Sequence, residues 1–185
     1  MKGFFIENIQ EIFILSDKLQ LHMMKEQQIG ENELIEIYKN SEVFKYYSNK
    51  PYITDKRSLK IYIINQLNLI KKNALLIWNI LYEEKVIGQI QLFDFDNCYT
   101  CAQISYFLHP DYWNKNINTL VVSTLSEYAI TYMGLERIEA YVYWKNIASY
   151  KSLEKSGYQR EGLLRNKYQI GGQVDNCYIY SRIRN

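Results

Sequence analysis

The sequence predicts one α/β domain built on a mixed, mostly antiparallel sheet, and three observations carry that reading. Short runs rich in β-branched and aromatic residues alternate with segments of helical periodicity. No internal repeat, low-complexity tract or linker divides the 185 residues, which suffice for one domain with a real core. Residues 102–134 read as a buried strand, a tight loop and an amphipathic helix, the unit around which the rest is organised.

The chain opens on MKGFFIENIQEIFIL, an apolar stretch interrupted by Glu7 and Glu11 with no small-residue cleavage site after it. A signal peptide is therefore not expected, and no window approaches the ~18 uninterrupted apolar residues of a membrane span. Residues 1–17 are read as an N-terminal extension of a single domain spanning 1–185, in a cytoplasmic protein with no membrane partner. Residues 16–25 alternate Leu19, Leu21 and Met23 on one face, as a strand does. Residues 30–38 make a short helix with Leu34, Ile35 and Tyr38 inward. Ser48-Asn49-Lys50-Pro51 then breaks the chain, and Thr54-Asp55 can cap a longer helix. That helix turns Leu59, Tyr62, Ile63, Leu67 and Ile70 inward and Lys56, Arg57, Lys60, Lys71 and Lys72 to water.

Residues 74–82, 85–94 and 100–108 read as three strands of an antiparallel run, joined by Glu83-Glu84 and by the longer segment 95–99. Gly88 inside the middle strand marks a bulge or the close approach of another backbone. On the next helix Leu120, Thr124, Leu125, Tyr128, Ala129 and Tyr132 recur at three- and four-residue steps, and Gly134 suits a left-handed cap. Residues 136–143 are a further strand. Residues 146–157 are a short helix with Asn146 as cap and Gly157 as stop. Two last strands, near 158–165 and 175–182, meet across Gly171-Gly172.

Composition narrows the function. A net charge of +2 with scattered basic residues argues against a nucleic-acid partner, which calls for a concentrated basic stripe. The 18 tyrosines are spread through every element, so they fill a core and wet pocket walls. Three cysteines cannot all pair, and Cys98-Tyr99-Thr100-Cys101 is half a zinc site with no second pair to complete it. No metal is expected. A helix entered from a tight loop beside a strand end offers unpaired N–H groups and a positive dipole, so the loop from Trp113 to Thr119 suits a phosphate-bearing ligand.

Three separated segments carry a resemblance: Ile104-Ser105-Tyr106-Phe107-Leu108-His109-Pro110-Asp111-Tyr112-Trp113, then Asn146-Ile147-Ala148-Ser149, then Leu153-Glu154-Lys155-Ser156-Gly157-Tyr158 with Glu161-Gly162 following. In this order and spacing they resemble the GNAT superfamily of acyl-CoA-dependent N-acetyltransferases, specifically its RimJ/RimL-like branch. The resemblance runs from about Lys18 to the end of the chain. It implies about seven strands, splayed between strands 4 and 5 and flanked by about four helices. It further implies that backbone groups at Tyr106, Phe107 and Leu108 bond the pantetheine arm of acetyl-CoA as an added strand would. Main-chain amides at Asn114, Lys115, Asn116, Ile117, Asn118 and Thr119 would wrap the pyrophosphate. Asn146 matches a family Asn that touches the cofactor arm, and Ser149 a position where branch members offer a hydroxyl to the leaving thiolate. Leu153 stands where many GNAT proteins carry a Tyr. The implied reaction is direct attack of a primary amine (a protein N-terminus, a polyamine or another small amine) on the thioester, and a homodimer is common in the branch.

The chain departs from that pattern at two places. The branch loop is glycine-rich, whereas here Asn114, Asn116 and Asn118 stand in it. Asn tolerates positive φ best after glycine, so the turn can survive, and Asn118 can cap the helix. Gln103 replaces a Glu that branch members often place on the fourth strand, and Gln cannot take up a proton at neutral pH. Asp94, Asp96 and Glu161 are the other carboxylates considered for the slot, and Glu161 joins Ser149 as a catalytic candidate. His22 lies outside the matched segments and His109 in a His-Pro turn, so neither is assigned a role. The two departures leave an alternative: a catalytically silent CoA-binding or interaction domain of the same fold. The acceptor pocket is expected from residues 31–72 and 163–174, where Tyr46, Tyr47 and Tyr168, with Trp78 from the sheet, either line a cavity or fill the core.

Overall fold

A computed structural model describes residues 9–26, 30–48 and 50–184. The first eight residues of the apolar opening, and Asn49 in the break before Pro51, lie outside the described residues. The elements run β1 (Ile12–Ile14), β2 (Leu19–Met23), α1 (Glu31–Lys39), α2 (Lys56–Lys71), β3 (Leu75–Tyr82), β4 (Lys85–Phe93), β5 (Cys101–Leu108), α3 (Ile117–Thr131), β6 (Arg137–Tyr143), α4 (Ile147–Lys155), β7 (Gln159–Ile170) and β8 (Gln173–Ile183). One eight-stranded sheet has the order β1-β2-β3-β4-β5-β6-β8-β7. Every pairing is antiparallel except β5 with β6.

The strand not foreseen is β1, where Phe13 alone turns inward while Ile12 and Ile14 face out. Three residues with one buried side chain are too short for a periodic signal. The two strands expected to part, counted fourth and fifth in the sequence, are β5 and β6 here.

Both faces of the sheet are covered. On β3, Leu76, Trp78 and Ile80 join the core under α3 and α4, while Leu75, Ile77 and Leu81 join the one under α1 and α2. This two-sided burial explains why LLIWNILY is an almost unbroken apolar run. Trp78 is fully buried and its Nε1 donates to the Gln10 carbonyl at 3.1 Å, which makes it a core residue.

Turn chemistry sets the register. Glu83 and Glu84 have φ of 48° and 67°, and Gly171 and Gly172 have 57° and 81°. Both are two-residue hairpin turns whose twist matches that of the strands they join. Asp55 caps α2 by accepting from the Ser58 N–H at 2.8 Å, with the Ser58 hydroxyl bonded back to the cap. Gly88 serves both expected purposes. The pairing shifts from Ile80–Gly88 to Leu81–Val86, a one-residue bulge at Ile87, and the β5 backbone passes directly over Gly88.

Helix α3 departs from the expected orientation. Its buried residues are Ile117, Val121, Val122, Leu125, Ser126, Ala129 and Ile130, while Leu120 and Tyr132 are exposed, Tyr132 at 78%. The expected stripe shares Leu125 and Ala129 with the observed one. Apolar residues occur nearly all round this helix, so spacing alone does not select the face that meets the sheet. Gly134 and Gly157 both take positive φ, 81° and 83°, where the helices α3 and α4 stop. Cys98, Cys101 and Cys177 are free thiols. Among the described residues no helix is long and apolar enough to cross a membrane.

Candidate active site

The cleft comes from two half-sheets that follow different partners. β5 pairs with β6 only through Cys101–Arg137, Ala102–Ile138 and Gln103–Glu139. Beyond these, β5 stays with β4 as far as Leu108, whereas β6 stays with β8 as far as Tyr143. The slot between them opens into a cleft of about 510 Å³.

Alternation along β5 decides which groups face the slot. The His109 N–H bonds the Ile87 carbonyl on β4, so odd-numbered residues turn their backbone to β4, and Ile104, Tyr106 and Leu108 turn theirs to the slot. Of the three positions expected to bond a pantetheine arm, Tyr106 and Leu108 thus face the cleft. Phe107 gives its backbone to β4. Two carbonyls on this edge have side-chain partners: the Tyr47 hydroxyl donates to the Tyr106 oxygen at 2.5 Å, and Trp113 Nε1 to the Leu108 oxygen at 2.9 Å. Burial raises the Tyr47 phenol well above its ordinary pKa, so it remains a donor at neutral pH.

At the mouth of the slot one turn of 3₁₀ helix, Pro110–Tyr112, leads into residues 113–116 and the start of α3. Asn114 and Asn116 take φ of 60° and 57°, so the backbone asked of glycine is kept by Asn. The cap of α3 is Asn116, not Asn118: the helix begins at Ile117, which puts Asn118 and Thr119 inside the first turn. No side chain caps this end and no acidic residue stands in the first turn. The opening N–H groups and the positive end of the helix dipole are therefore left for an anion. Asn118 Oδ1 is buried with no hydrogen-bond partner among the described residues, an orphaned polar atom in the cleft wall. Lys115, Lys151 and Lys155 line the same cleft. The two α4 lysines were not singled out in the sequence.

Asn146 caps α4 by accepting from the Ser149 N–H at 3.3 Å, which fixes where Ser149 points. The Tyr106 hydroxyl lies 3.2 Å from both Ser149 Oγ and the Ser149 carbonyl. Burial pushes the Tyr106 phenol up to about 12, so it stays protonated beside Ser149. This phenol crosses from β5 to α4 and fills the wall that Leu153, fully buried, leaves without a hydroxyl.

A chamber of about 650 Å³ opens on the other face of β5. Its floor is three cross-strand pairs, Gln89–Phe107, Gln91–Ser105 and Phe93–Gln103. Its walls come from Tyr38 of α1, Phe44, Tyr47, Tyr62 of α2 and Tyr168 of β7. These walls come from the segments 31–72 and 163–174. The Tyr38 hydroxyl donates to Gln89 Oε1 at 2.7 Å and Gln89 Nε2 to Asn79 Oδ1 at 2.9 Å, a satisfied buried network that stiffens the wall. Tyr47, Ser105, Phe107, Tyr141 and Tyr168 line both cleft and chamber, so the two cavities meet there.

Glu161 is not brought to this junction and lines neither cavity. Arg137 Nη1 donates to its Oε1 at 2.9 Å and the Ser181 hydroxyl donates at 2.6 Å. Arg137 first, then Ser181, hold its carboxyl down to about 2 from an ordinary 4.5. A depressed folded-state value means the bonds stabilise fully above pH about 4.5 and are lost as pH falls towards 2. Glu161→Gln should lower the urea midpoint at pH 7 and converge with the wild type near pH 2. A gap that persisted in acid would contradict this assignment.

A family model described as acetyltransferase (GNAT) domain matches residues 19–159. An uncharacterized N-acetyltransferase, p20 of Bacillus licheniformis, is 29% identical over 153 residues, 82% of this chain and 85% of that protein. RimL, a ribosomal L7/L12 alpha-N-protein acetyltransferase solved with coenzyme A, superposes with a TM-score of 0.82 at 16% identity, over 94% of this chain and 98% of that one. MccE, the microcin C7 self-immunity acetyltransferase solved with acetyl-CoA and AMP, gives a TM-score of 0.82 at 20% identity, over 92% and 94%.

Proposed function

We propose, since this chain belongs to the GNAT acetyltransferase family, whose members are acetyl-CoA-dependent N-acetyltransferases, that it binds acetyl-CoA in the β5–β6 slot and acetylates a primary amine presented from the chamber. The observation that carries the reading is the junction: a cleft with anion-ready amides at one end meets an aromatic chamber at Ser105 and Phe107. The residues fit the co-substrate. Main-chain amides over 115–119, with Lys115, Lys151 and Lys155 nearby, suit the phosphates, while the orphaned Asn118 Oδ1 in the same wall is an acceptor suited to an N–H or O–H group of the co-substrate. The slot-edge backbone of Tyr106 and Leu108 suits the amide groups of the arm once Tyr47 yields the Tyr106 carbonyl. When bound, acetyl-CoA supplies an activated acyl carbon. The chain's part is alignment, which alone can contribute about 7–11 kcal/mol, and proton handling.

Ser149 is the hydroxyl placed to protonate the departing sulfur, held by the Asn146 cap and backed by the Tyr106 phenol. Slot-edge N–H groups at Tyr106 and Leu108 are the donors placed to stabilise charge on the carbonyl oxygen. The positive φ kept at Asn114 and Asn116 supports a working loop over the silent-domain alternative. The acceptor is a protein N-terminus, a polyamine or another small amine, in a cytoplasmic protein. Thiol release should be detected when the full chain is mixed with acetyl-CoA and a panel of primary amines. No release and no thermal shift at millimolar acetyl-CoA would contradict the reading.

A further inference from the structure

We infer that Asp94 is the carboxylate that receives the acceptor's ammonium in the chamber and takes its proton, with Gln103 positioning it. The inference rests on the amine-acetylation reading above. Asp94 is the one carboxylate among the described residues that line the chamber. It follows the last residue of β4 with φ of 52°, a left-handed conformation that Asp and Asn tolerate better than other side chains. Gln103 Nε2 donates to Asp94 Oδ2 at 2.5 Å. An amide fixed on the chamber floor therefore holds the carboxylate, and Gln103 lies one side-chain repeat from Ser105 at the junction, about 7 Å along the strand.

The other ionisable groups facing Asp94 do not serve as bases at neutral pH. Tyr141, in the wall shared by both cavities, has its phenol pushed up to about 12 by burial, then by Glu139 and by Asp94 itself. The Cys101 thiol is raised by burial first and by the charges of Glu139, Asp96 and Asp94, so it stays a thiol. Glu139 is engaged by Arg137 and by the Tyr141 hydroxyl. Lys167, from β7, is the cation among the lining residues.

An acceptor amine arrives protonated and has no lone pair to offer. Asp94 draws the ammonium to the floor of the chamber. The Asp94 carboxylate takes one ammonium proton and, being exposed, passes it to solvent, which frees the nitrogen lone pair for attack on the thioester carbonyl. As the C–N bond forms, the nitrogen becomes far more acidic and its second proton leaves by the same carboxylate to solvent. The C–S bond breaks with its electron pair on sulfur, which takes the Ser149 hydroxyl proton. Ser149 is reprotonated through Tyr106 from solvent, so protons balance.

The test uses the full chain as wild type, Asp94→Asn, Gln103→Ala and the double variant D94N/Q103E, which moves the carboxylate across the same hydrogen bond. Thiol release with an amine that the wild type acetylates gives kcat/KM from pH 6 to 10, and calorimetry gives the acetyl-CoA Kd of each protein. NMR follows the Gln103 side-chain amide of the wild type as the amine is added. D94N should lose about a hundredfold in kcat/KM at pH 7, and the deficit should shrink as pH nears 10 and the amine becomes neutral unaided. Q103A should lose about tenfold with the same pH trend, and the double variant should recover at least tenfold over D94N. The acetyl-CoA Kd should be unchanged throughout, and the Gln103 amide should shift with amine. A D94N protein within twofold of wild type at pH 7, a deficit flat with pH, or no recovery in the double variant overturns the inference. A wild type that binds acetyl-CoA yet releases no thiol with any amine overturns the acetylation reading instead, and the Gln103 amide titration then decides by itself whether amines dock at Asp94.

Discussion

Gly88→Val is expected to destabilise the protein by about 3 kcal/mol or more, read as a large drop in the urea midpoint. A Cβ at this position would stand 2.1 Å from the Phe107 carbonyl oxygen and 3.0 Å from the Leu108 Cα. Both are backbone atoms of a strand paired with β4, so neither can swing aside as a flexible side chain would. Relief requires β5 to lift off β4 over residues that also form the cleft edge. Gly88→Ala should act in the same direction with a smaller loss, and where it still folds it should weaken acetyl-CoA binding, because Tyr106 and Leu108 move with the displaced strand. An alanine variant with wild-type stability and wild-type affinity would contradict the close approach of the two backbones.

Ser149→Ala is expected to lower kcat by about a hundredfold while leaving the acetyl-CoA affinity nearly unchanged. The hydroxyl is held by two neighbours with separate origins, the Asn146 cap on its own helix and the Tyr106 phenol from β5. It sits in the cleft wall and carries no part of the core, so its loss should not unfold the chain. Steady-state kinetics with calorimetry separates the outcomes. A loss confined to KM, or a kcat within twofold of wild type, would remove Ser149 from the chemistry.

Much of this architecture was legible because local chemistry and tertiary structure agree. The Asp55 cap, the Glu83-Glu84 and Gly171-Gly172 turns, the Gly88 crossing and the Asn146 cap are each dictated by backbone conformation or by orphaned helix-end groups, and such signals are local. What was not legible depends on partners distant in sequence. The face that α3 buries is chosen by the sheet beneath it, since the helix is apolar nearly all round. Strand β1 exists because β2 offers it an edge.

The site divides in the same way. The Asn-bearing loop and Ser149 stand out as strings, and the structure places them in one cleft. Glu161 was drawn towards the slot by its place after a matched segment, but Arg137, 24 residues away on β6, holds it elsewhere. Tyr47 bonds a carbonyl 59 residues on, and Tyr106 meets Ser149 across 43. No periodicity encodes pairs of that separation. The Asp94–Gln103 bond spans a hairpin and is visible only once the end of β4 is known to turn at positive φ.

The central claim is that the parted strands β5 and β6 hold acetyl-CoA with its diphosphate on the start of α3. A crystal structure of the full chain with acetyl-CoA at saturating concentration tests this most directly. The account predicts the diphosphate within hydrogen-bond distance of main-chain amides over residues 115–119, the pantetheine along Tyr106 and Leu108 with the Tyr47 hydroxyl released from the Tyr106 carbonyl, and the acetyl group facing Ser105 and Phe107. A diphosphate bound away from the α3 start, or a slot still closed by Tyr47 with the co-substrate elsewhere, would contradict it.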